Sequence, residues 1–290
     1  MFIYSEGFKL KIVCLIENNI VKNSDMVFEH GLAIYIEKNG LNILFDTGAT
    51  GIFVKNVDKM NLSLENLDLG VISHGHYDHG GGLESLLKLN KTAPIYLRKS
   101  ANEDYFLKYL VFFKKYIGLD KMLLSDNSHR IHFIDKNMQI KPGIHLITDI
   151  KNKYPFPGGS KYLYKKEGNE LKKDDFSHEL MVVIDEKDGI IIISGCSHHG
   201  ILNMVETAMD LFPGKNIKAV FGGFHLIGSP LLKNMGESKD AVHEIGKKLM
   251  EYPIEKVYTC HCTGEKAYNI LKEVMGDKLE YFTTSTTVTF

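Results

Sequence analysis

Two short apolar runs separated by a tight turn occur twice along the chain. The turn is Asn39-Gly40 in the first copy and Asp188-Gly189 in the second. An Asn-Gly or Asp-Gly pair between apolar runs predicts a β-hairpin, because both residue types tolerate the backbone angles of such turns. The flanking runs are residues 33–36 and 41–45 in the first half of the chain, and 181–184 and 190–193 in the second.

The stretch that follows each hairpin also repeats. A helical pattern leads to another apolar strand, which ends at His74 in the first half and just before His225 in the second. Two strand-rich halves with helices outside predict an α/β (α+β) fold, a four-layered αββα sandwich of two similar halves. We therefore expect one domain, residues 1–290, with a site between the halves. The alternative is that two ordinary hairpins resemble each other by coincidence.

Residues 98 to about 177 are less regular and predict an inserted helical and loop region. The pattern favours a helix over 101–116, and the loop over 154–160 suits either a substrate lid or a plain surface connection. The apolar side of the predicted helix would carry Phe106, Leu107, Tyr109, Leu110 and Phe113.

Four candidate metal ligands lie within the six residues from His74 to His79. An apolar, β-branched segment precedes them, and Gly80-Gly81-Gly82 follows, which allows a tight turn before a helix that begins near Leu83. In extended backbone, the side chains of residues two apart point to the same side. The loop can therefore supply ligands to two adjacent metal ions. A histidine-rich surface loop that binds nothing is the alternative.

These residues and three later motifs carry a resemblance to a known family. The pattern His-x-His-x-Asp-His, preceded by Asp46-Thr47-Gly48, resembles the metallo-β-lactamase superfamily. The match spans about residues 31–267 and looks like the branch that includes a 7,8-dihydropterin-6-methyl-(ribofuranosyl)aminobenzene-5'-phosphate synthase. The later motifs are Gly195-Cys196-Ser197-His198, Gly222-Gly223-Phe224-His225-Leu226 and His261-Cys262-Thr263-Gly264.

The resemblance implies a dinuclear metal site. His74 and His76 would bind one metal, and Asp78, His79 and His261 the second. The usual mid-chain histidine is missing, since His145 is better interpreted as a partly buried strand residue. We therefore assign His198 as the third ligand of the first metal.

The remaining site positions are less determined by the pattern. Cys196 stands where the family has a bridging Asp, and either a thiolate ligand or a small buried hydrophobe fits. His225 is expected to orient substrate or transfer a proton, with metal ligation as the alternative. Asp78 is expected to be catalytic as well as a ligand. Asp46 would brace the histidine loop without touching metal. Strand alternation turns Cys260 and Cys262 away from the metals. Five histidines have no comparable context: His30, His129, His132, His199 and His243.

Composition narrows the functional classes. The 290 residues carry a formal charge of -1, which gives no overall field for nucleic acid or anionic membrane. Four cysteines do not form a disulfide framework in a chain of this length, and no apolar run reaches the ~18 residues of a membrane span. We expect a cytoplasmic protein with a small, phosphate-bearing substrate, no nucleic-acid partner and no membrane partner.

The chemistry expected of this site is hydrolysis. Two divalent metal ions, zinc foremost and manganese or iron as alternatives, would generate a hydroxide that attacks a phosphate or ester bond. One alternative is the pterin-condensing transferase of the related branch, in which the cations hold a pyrophosphate leaving group. Another is a metal-binding protein without catalysis.

Overall fold

The computed structural model describes residues 10–109, 113–228 and 234–290. Within them, two seven-stranded mixed sheets face each other, and helices cover the outer side of each sheet. The predicted αββα sandwich is confirmed. None of the helices in these ranges combines the length and apolar character that a bilayer span requires.

The first sheet contains most of the N-terminal strands and one strand from the end of the chain. Its spatial order is β18-β1-β2-β3-β4-β5-β8, and the strands from β3 onward run parallel. Its strands are β1 (Leu10–Ile16), β2 (Ala33–Lys38), β3 (Leu41–Phe45), β4 (Leu69–Val71), β5 (Ile95–Arg98), β8 (Ile131–Ile134) and β18 (Thr287–Thr289).

The second sheet repeats this plan. Its order is β9-β10-β13-β14-β15-β16-β17, again an antiparallel hairpin followed by parallel strands. The prediction of two similar halves is therefore confirmed at the level of topology. Its strands are β9 (Met138–Lys141), β10 (Ile144–Ile147), β13 (Met181–Glu186), β14 (Gly189–Ile193), β15 (Ile217–Gly222), β16 (Ile254–Thr259) and β17 (Leu279–Tyr281).

Seven α-helices and four short 3-10 helices complete the described chain. The α-helices are α1 (Phe53–Lys59), α2 (Tyr77–Gly80), α3 (Leu83–Leu89), α4 (Lys121–Asp126), α5 (Ile201–Leu211), α6 (Lys239–Glu251) and α7 (Glu265–Met275). The 3-10 helices are Lys99–Asn102, Gly158–Tyr162, His261–Thr263 and Gly276–Lys278.

Three apolar layers hold the sandwich together. The central layer lies between the two sheets and includes the fully buried Phe45, Ile193 and Phe221. Helices α1 and α3 pack against the outer side of the first sheet, and α5, α6 and α7 against that of the second. Burial of both faces explains why β14 reads Gly-Ile-Ile-Ile-Ile without polar alternation.

The two hairpin turns differ in backbone geometry. Asn39 and Gly40 have φ of 49° and 82°, and positive values at both positions are those of a type I′ turn. At the second turn only Gly189 has a positive φ, 155°. Both predicted hairpins form, but the second turn is of a different type.

A third, four-stranded sheet stands where the sequence predicted a helix over 101–116. The helix prediction is wrong. Side chains in this segment alternate with a period of two, so that Tyr105 and Leu107 lie on the opposite face from Phe106. Leu110 lies outside the described residues. The third sheet has the order β12-β11-β6-β7, formed by β6 (Tyr105–Tyr109), β7 (Phe113–Tyr116), β11 (Leu163–Glu167) and β12 (Glu170–Lys173).

The region from 98 to about 177 is thus largely strands rather than helix and loop. It also supplies β8 to the first sheet and β9 and β10 to the second. The single-domain assignment of residues 1–290 stays a prediction.

Candidate metal centre

The predicted site residues follow the ends of strands that meet at one edge of the sandwich. Parallel strands place their carboxyl ends at the same edge, so side chains just after them converge. The strands and the residues that follow them are β3 with Asp46, β4 with His74, β14 with Cys196, β15 with His225 and β16 with His261.

A first group of donors consists of His74, His76 and His198, all of them buried. The Nε2 atoms of His74 and His198 lie 3.2 Å apart. The ring of His76 lies 4.6 Å from that of His74 and 4.8 Å from that of His198, measured between centroids. These are the three side chains that the sequence assigned to the first metal.

A second group consists of Asp78, His79, Cys196 and His261. The Nε2 atom of His79 lies 3.1 Å from the Cys196 Sγ atom and 4.0 Å from the Asp78 carboxylate. The Nε2 atom of His261 lies 3.4 Å from the same carboxylate. The structure therefore brings together the residues assigned to the second metal, with Cys196 among them.

A buried carboxylate orients two of these imidazoles. Asp46 Oδ2 accepts a hydrogen bond from His79 Nδ1 at 2.6 Å and another from Ser73 Oγ at 2.7 Å. The same hydroxyl lies 2.8 Å from His74 Nδ1. With both Nδ1 atoms bonded to oxygen, the Nε2 atoms face the centre. Asp46 thus stands where the sequence expected a brace, at a positive φ of 61°.

A similar contact orients His261. Its Nδ1 atom lies 2.8 Å from Asn18 Oδ1, and its backbone N–H donates to Glu17 Oε2 at 3.2 Å. Neither Glu17 nor Asn18 lies in a sequence motif of the site. They follow β1, whose end reaches the site only through pairing in the first sheet.

The donor side chains differ in protonation, and the three histidines of the first group suit cation binding. Burial lowers the pKa of His74, His76 and His198, which leaves their nitrogen lone pairs unprotonated at neutral pH. Burial acts against the charge of His79, but Asp46 outweighs it and raises its pKa to about 9. Burial also acts to raise the pKa of Asp78, yet the neighbouring imidazoles of His261 and His30 hold it well below its usual range.

Several buried nitrogens in this region have no hydrogen-bond partner among the described residues. A buried polar atom without a partner is costly, so a cluster of them indicates a binding site. Imidazole, carboxylate and thiol together form a donor set that fits a divalent transition metal. The unpartnered atoms are His76 Nε2, His198 Nδ1, His261 Nε2 and both ring nitrogens of His225.

Glu179 positions the loop that carries His198. Its carboxylate accepts from the backbone N–H of His198 at 2.6 Å and of His199 at 2.9 Å, and lies 2.8 Å from His199 Nδ1. Burial works to raise the Glu179 pKa, but His199 outweighs it and lowers the pKa. His199, which had no context in the sequence, therefore helps to hold this loop.

A further pair, Asp174 and His178, stands behind His76. His178 lies 3.1 Å from the Asp174 carboxylate through Nε2 and accepts from the backbone N–H of Gly75 at 2.9 Å. The same carboxylate oxygen is 3.9 Å from His76 Nε2. Sequence spacing gave no signal for either residue, since they approach His76 from about 100 positions away.

His225 lies against the first group and beside two thiols. Its ring is 4.2 Å from that of His198, and its backbone N–H donates to Cys262 Sγ at 3.3 Å. Cys196, His225 and Cys262 themselves form a possible donor cluster. The prediction that Cys262 faces away is wrong, because β16 ends at Thr259 and a 3-10 helix interrupts the alternation. Cys260 does pack in the central apolar layer.

Two other histidines differ in their distance from the site, His30 being next to it and His145 away from it. His30 was missed, and its Nε2 atom lies 3.2 Å from the Asp78 carboxylate. His145 is a half-buried strand residue that contacts Phe212 edge to face, in agreement with its assignment.

The glycine run serves close packing of the loop. A Cβ at Gly81 or Gly82 would overlap the carbonyl oxygens of Ala49 and Thr47, so the loop packs against the backbone that follows β3. Helix α3 begins at Leu83, as predicted.

A cleft of about 260 Å³ opens onto both donor groups. Site residues form part of its lining, and residues in and next to the third sheet form an apolar wall. The loop over 154–160 contributes Gly159, where a Cβ would overlap the Ile227 carbonyl oxygen, so the loop is part of the cleft rather than a plain surface connection. The wall residues include Leu107, Phe113, Ile117, Tyr162 and Leu163.

Comparison with known proteins gives two relatives from Methanocaldococcus jannaschii. The chain is 31% identical, over 93% of each sequence, to its 7,8-dihydropterin-6-methyl-4-(beta-D-ribofuranosyl)-aminobenzene-5'-phosphate synthase. It is also 30% identical to an uncharacterised protein, over 91% of this chain and 94% of the relative.

The first relative corrects the main functional prediction. Hydrolysis was the expected reaction, and the transferase was the alternative. The first of these relatives, similar over 93% of both chains, is named a synthase, which supports the alternative instead. The error arose because a metal site at strand ends serves bond cleavage and group transfer equally well.

Solved structures and a family profile place the fold. A crystal structure of a metal-dependent hydrolase of the beta-lactamase superfamily matches with a TM-score of 0.80 and 29% identity, covering 96% of this chain and 98% of that one. Zinc-bound PqqB from Methylobacterium extorquens matches with a TM-score of 0.58 and 11% identity over 96% and 99%, which shows the fold alone. The family profile matches residues 27–261, across both donor groups. The chain belongs to the metallo-beta-lactamase superfamily.

Proposed function

We propose that this protein is a synthase that joins an activated dihydropterin to the amino group of a ribofuranosylaminobenzene phosphate. The observation that carries the proposal is the 31% identity, over 93% of both chains, to a synthase named for that product. The cleft supports it, because an apolar wall suits aromatic rings and the donor groups suit a charged leaving group. Both substrates are small molecules, and neither a nucleic acid nor a membrane is required.

The proposed reaction exchanges one bond for another. A carbon–nitrogen bond forms between the pterin methylene and the amine, and the bond from the methylene to a diphosphate oxygen breaks. The diphosphate leaves with the bonding electron pair, and the amine loses one proton. Divalent cations in the two donor groups would neutralise the charge that develops on the diphosphate.

His225 is placed to take the amine proton. It lines the cleft, both of its ring nitrogens lack a partner among the described residues, and it is nine-tenths buried. Its backbone φ of 48° is in the left-handed region, and the contact from Cys262 helps to fix it there. A proton acceptor must lie within hydrogen-bond reach of the group it deprotonates, and the cleft gives substrate that access.

Asp78 has a role in holding the second cation and orienting its neighbours. Its carboxylate is shared by His30 at 3.2 Å and His261 at 3.4 Å, which keeps it ionised. We propose zinc as the metal, one ion in each donor group, because imidazole and thiolate donors favour it. Manganese and iron are the alternatives that the imidazole and carboxylate donors also accept.

The test is a coupled assay with protein reconstituted separately with zinc, manganese or ferrous iron. We expect the pterin–amine product and diphosphate to appear in equal amounts, and only when both substrates are present. Mass spectrometry would quantify the product and an enzymatic assay the diphosphate. Diphosphate release that proceeds equally without the amine would contradict the proposal.

A further inference from the structure

The third sheet has two chemically different faces. Along β6 and β7, Leu107 pairs with Lys115 and Tyr109 with Phe113, so these four side chains share one face of the sheet. Leu107, Phe113 and Lys115 on this face line the cleft. Lys108 pairs with Lys114 on the opposite face. Lys114 and Lys115 are neighbours in β7, and both are exposed. Because side chains alternate along a strand, the two lysines lie on opposite faces of the sheet.

Lys115 introduces a positive charge into an otherwise apolar wall. Lys165 is on the same face of the sheet, but its Nζ atom is paired with Asp175 at 2.8 Å and Glu167 at 3.1 Å. No carboxylate lies within 4 Å of Lys115 Nζ in the described parts of the chain. Among the described residues that line the cleft, Lys115 is the only lysine or arginine.

The contacts of Lys115 hold its charge beside Tyr77 in the cleft. Its Nζ atom lies 3.2 Å from the hydroxyl of Tyr77 and 4.5 Å from the centroid of the same ring. Tyr77 stands between His76 and Asp78, one residue from each donor group. The ammonium group is therefore positioned at the cleft, with hydrogen-bond donors to spare, since a lysine has three and Tyr77 uses one.

We propose that Lys115 binds the phosphate monoester of the aromatic amine substrate. The proposal rests on the proposed function, in which the diphosphate of the other substrate is held at the donor groups. The aminobenzene ring would pack on the apolar wall of Leu107, Phe113 and Ile117, and the ribose phosphate would extend along it to Lys115. A phosphate next to an apolar wall needs a cation, and lysine supplies a point charge that suits it.

Steady-state kinetics of Lys115→Ala with both substrates tests this assignment, with Lys114→Ala as the matched control. Lys114 has the same charge and neighbouring position, but its Nζ atom lies over the Phe106 ring on the outer face. We expect Lys115→Ala to raise KM for the phosphorylated amine by roughly tenfold or more, as for loss of a charge-assisted hydrogen bond. KM for the pterin, and both constants in Lys114→Ala, should stay within about twofold of wild type.

An unphosphorylated ribofuranosylaminobenzene provides a second arm. Wild type and Lys115→Ala should use it equally poorly, because the group that Lys115 contacts is absent. Equal KM values for the phosphorylated amine in the two lysine variants would overturn the proposal. An increase in KM for the pterin diphosphate, rather than for the phosphorylated amine, would also overturn the proposal, because Lys115 would then bind the leaving group.

Calorimetric titration with phenyl phosphate separates this proposal from the proposed function. The titration needs no turnover, so it remains informative if wild type makes no product and the synthase proposal fails. Weaker binding in Lys115→Ala but not in Lys114→Ala would support the anion site by itself. Equal affinity in both variants would reject the site, even if wild type makes the product.

Discussion

Replacing Asp46 by Asn tests how the histidine loop is oriented. Both carboxylate oxygens of Asp46 accept hydrogen bonds, from the Ser73 backbone N–H at 2.7 Å, from Ser73 Oγ at 2.7 Å and from His79 Nδ1 at 2.6 Å. An amide offers one oxygen, so in either orientation its NH2 group faces a donor. We expect His79 to lose the bond that directs its Nε2 atom into the donor group.

The magnitude follows from two properties of the site. Loss of a contact that orients a metal-binding histidine typically weakens metal binding by about 10- to 100-fold, or about 1.4–2.8 kcal/mol. In the metal-free protein, Asp46 raises the pKa of His79 from 6.5 to about 9. This charge contributes stability that is complete below about pH 6.5 and is lost as the pH rises through about 9, on the order of 3 kcal/mol in total.

Two assays measure these effects. Competition with a chromophoric chelator gives the affinity of each metal equivalent, and chemical denaturation of the metal-free protein at pH 6 and pH 9 gives the pH-dependent stability. Asp68→Asn is the control, because Asp68 accepts from the Asn42 backbone N–H far from the site and an amide oxygen can replace that bond. If Asp46→Asn has wild-type metal affinity and an unchanged pH dependence of stability, the orienting role is refuted.

Three further changes probe other parts of the site. Asp78→Ala should remove one metal equivalent and abolish turnover while the His74 group keeps the other, as elemental analysis beside the activity assay would show; full activity would refute this. His225→Ala should lower kcat by about 10²- to 10⁴-fold with metal content unchanged, whereas loss of a metal would make His225 a ligand. Burial raises the pKa of Glu17 from 4.5 to about 7, so its ionisation should lower the stability of the protein as the pH rises through that interval. Glu17→Gln should reduce this dependence of stability on pH, as measured by denaturation curves at pH 5 and pH 8. Identical slopes in the variant and wild type would contradict the last expectation.

Features that depend on local sequence were predictable. The hairpins followed from Asn-Gly and Asp-Gly pairs between apolar runs, and the start of α3 from the end of the glycine run. The convergence of His74 and His198 followed because both come after strands whose carboxyl ends lie at one edge. Pattern and topology suffice where a residue is placed by the element that directly precedes it.

Features that depend on contacts between distant segments were not predictable. Strands β6 and β7 of the third sheet were assigned to a helix, because aromatic residues in 105–116 fit the apolar face of a helix as well as the alternation of a strand. Glu179 and Asp174 act through the backbone and side chains of loops that sequence spacing does not connect to them. Cys262 was misplaced because the strand before it ends earlier than its apolar pattern suggests.

Metal content per chain tests the central claim, that these strand ends build a two-part metal centre. Protein purified without chelator or affinity metal would be measured by elemental mass spectrometry before and after reconstitution. We expect two equivalents of a first-row divalent metal, one for the three histidines and one for the group that contains Cys196. A single equivalent or less that persists after reconstitution would contradict it, since Cys196 would then not complete the second group.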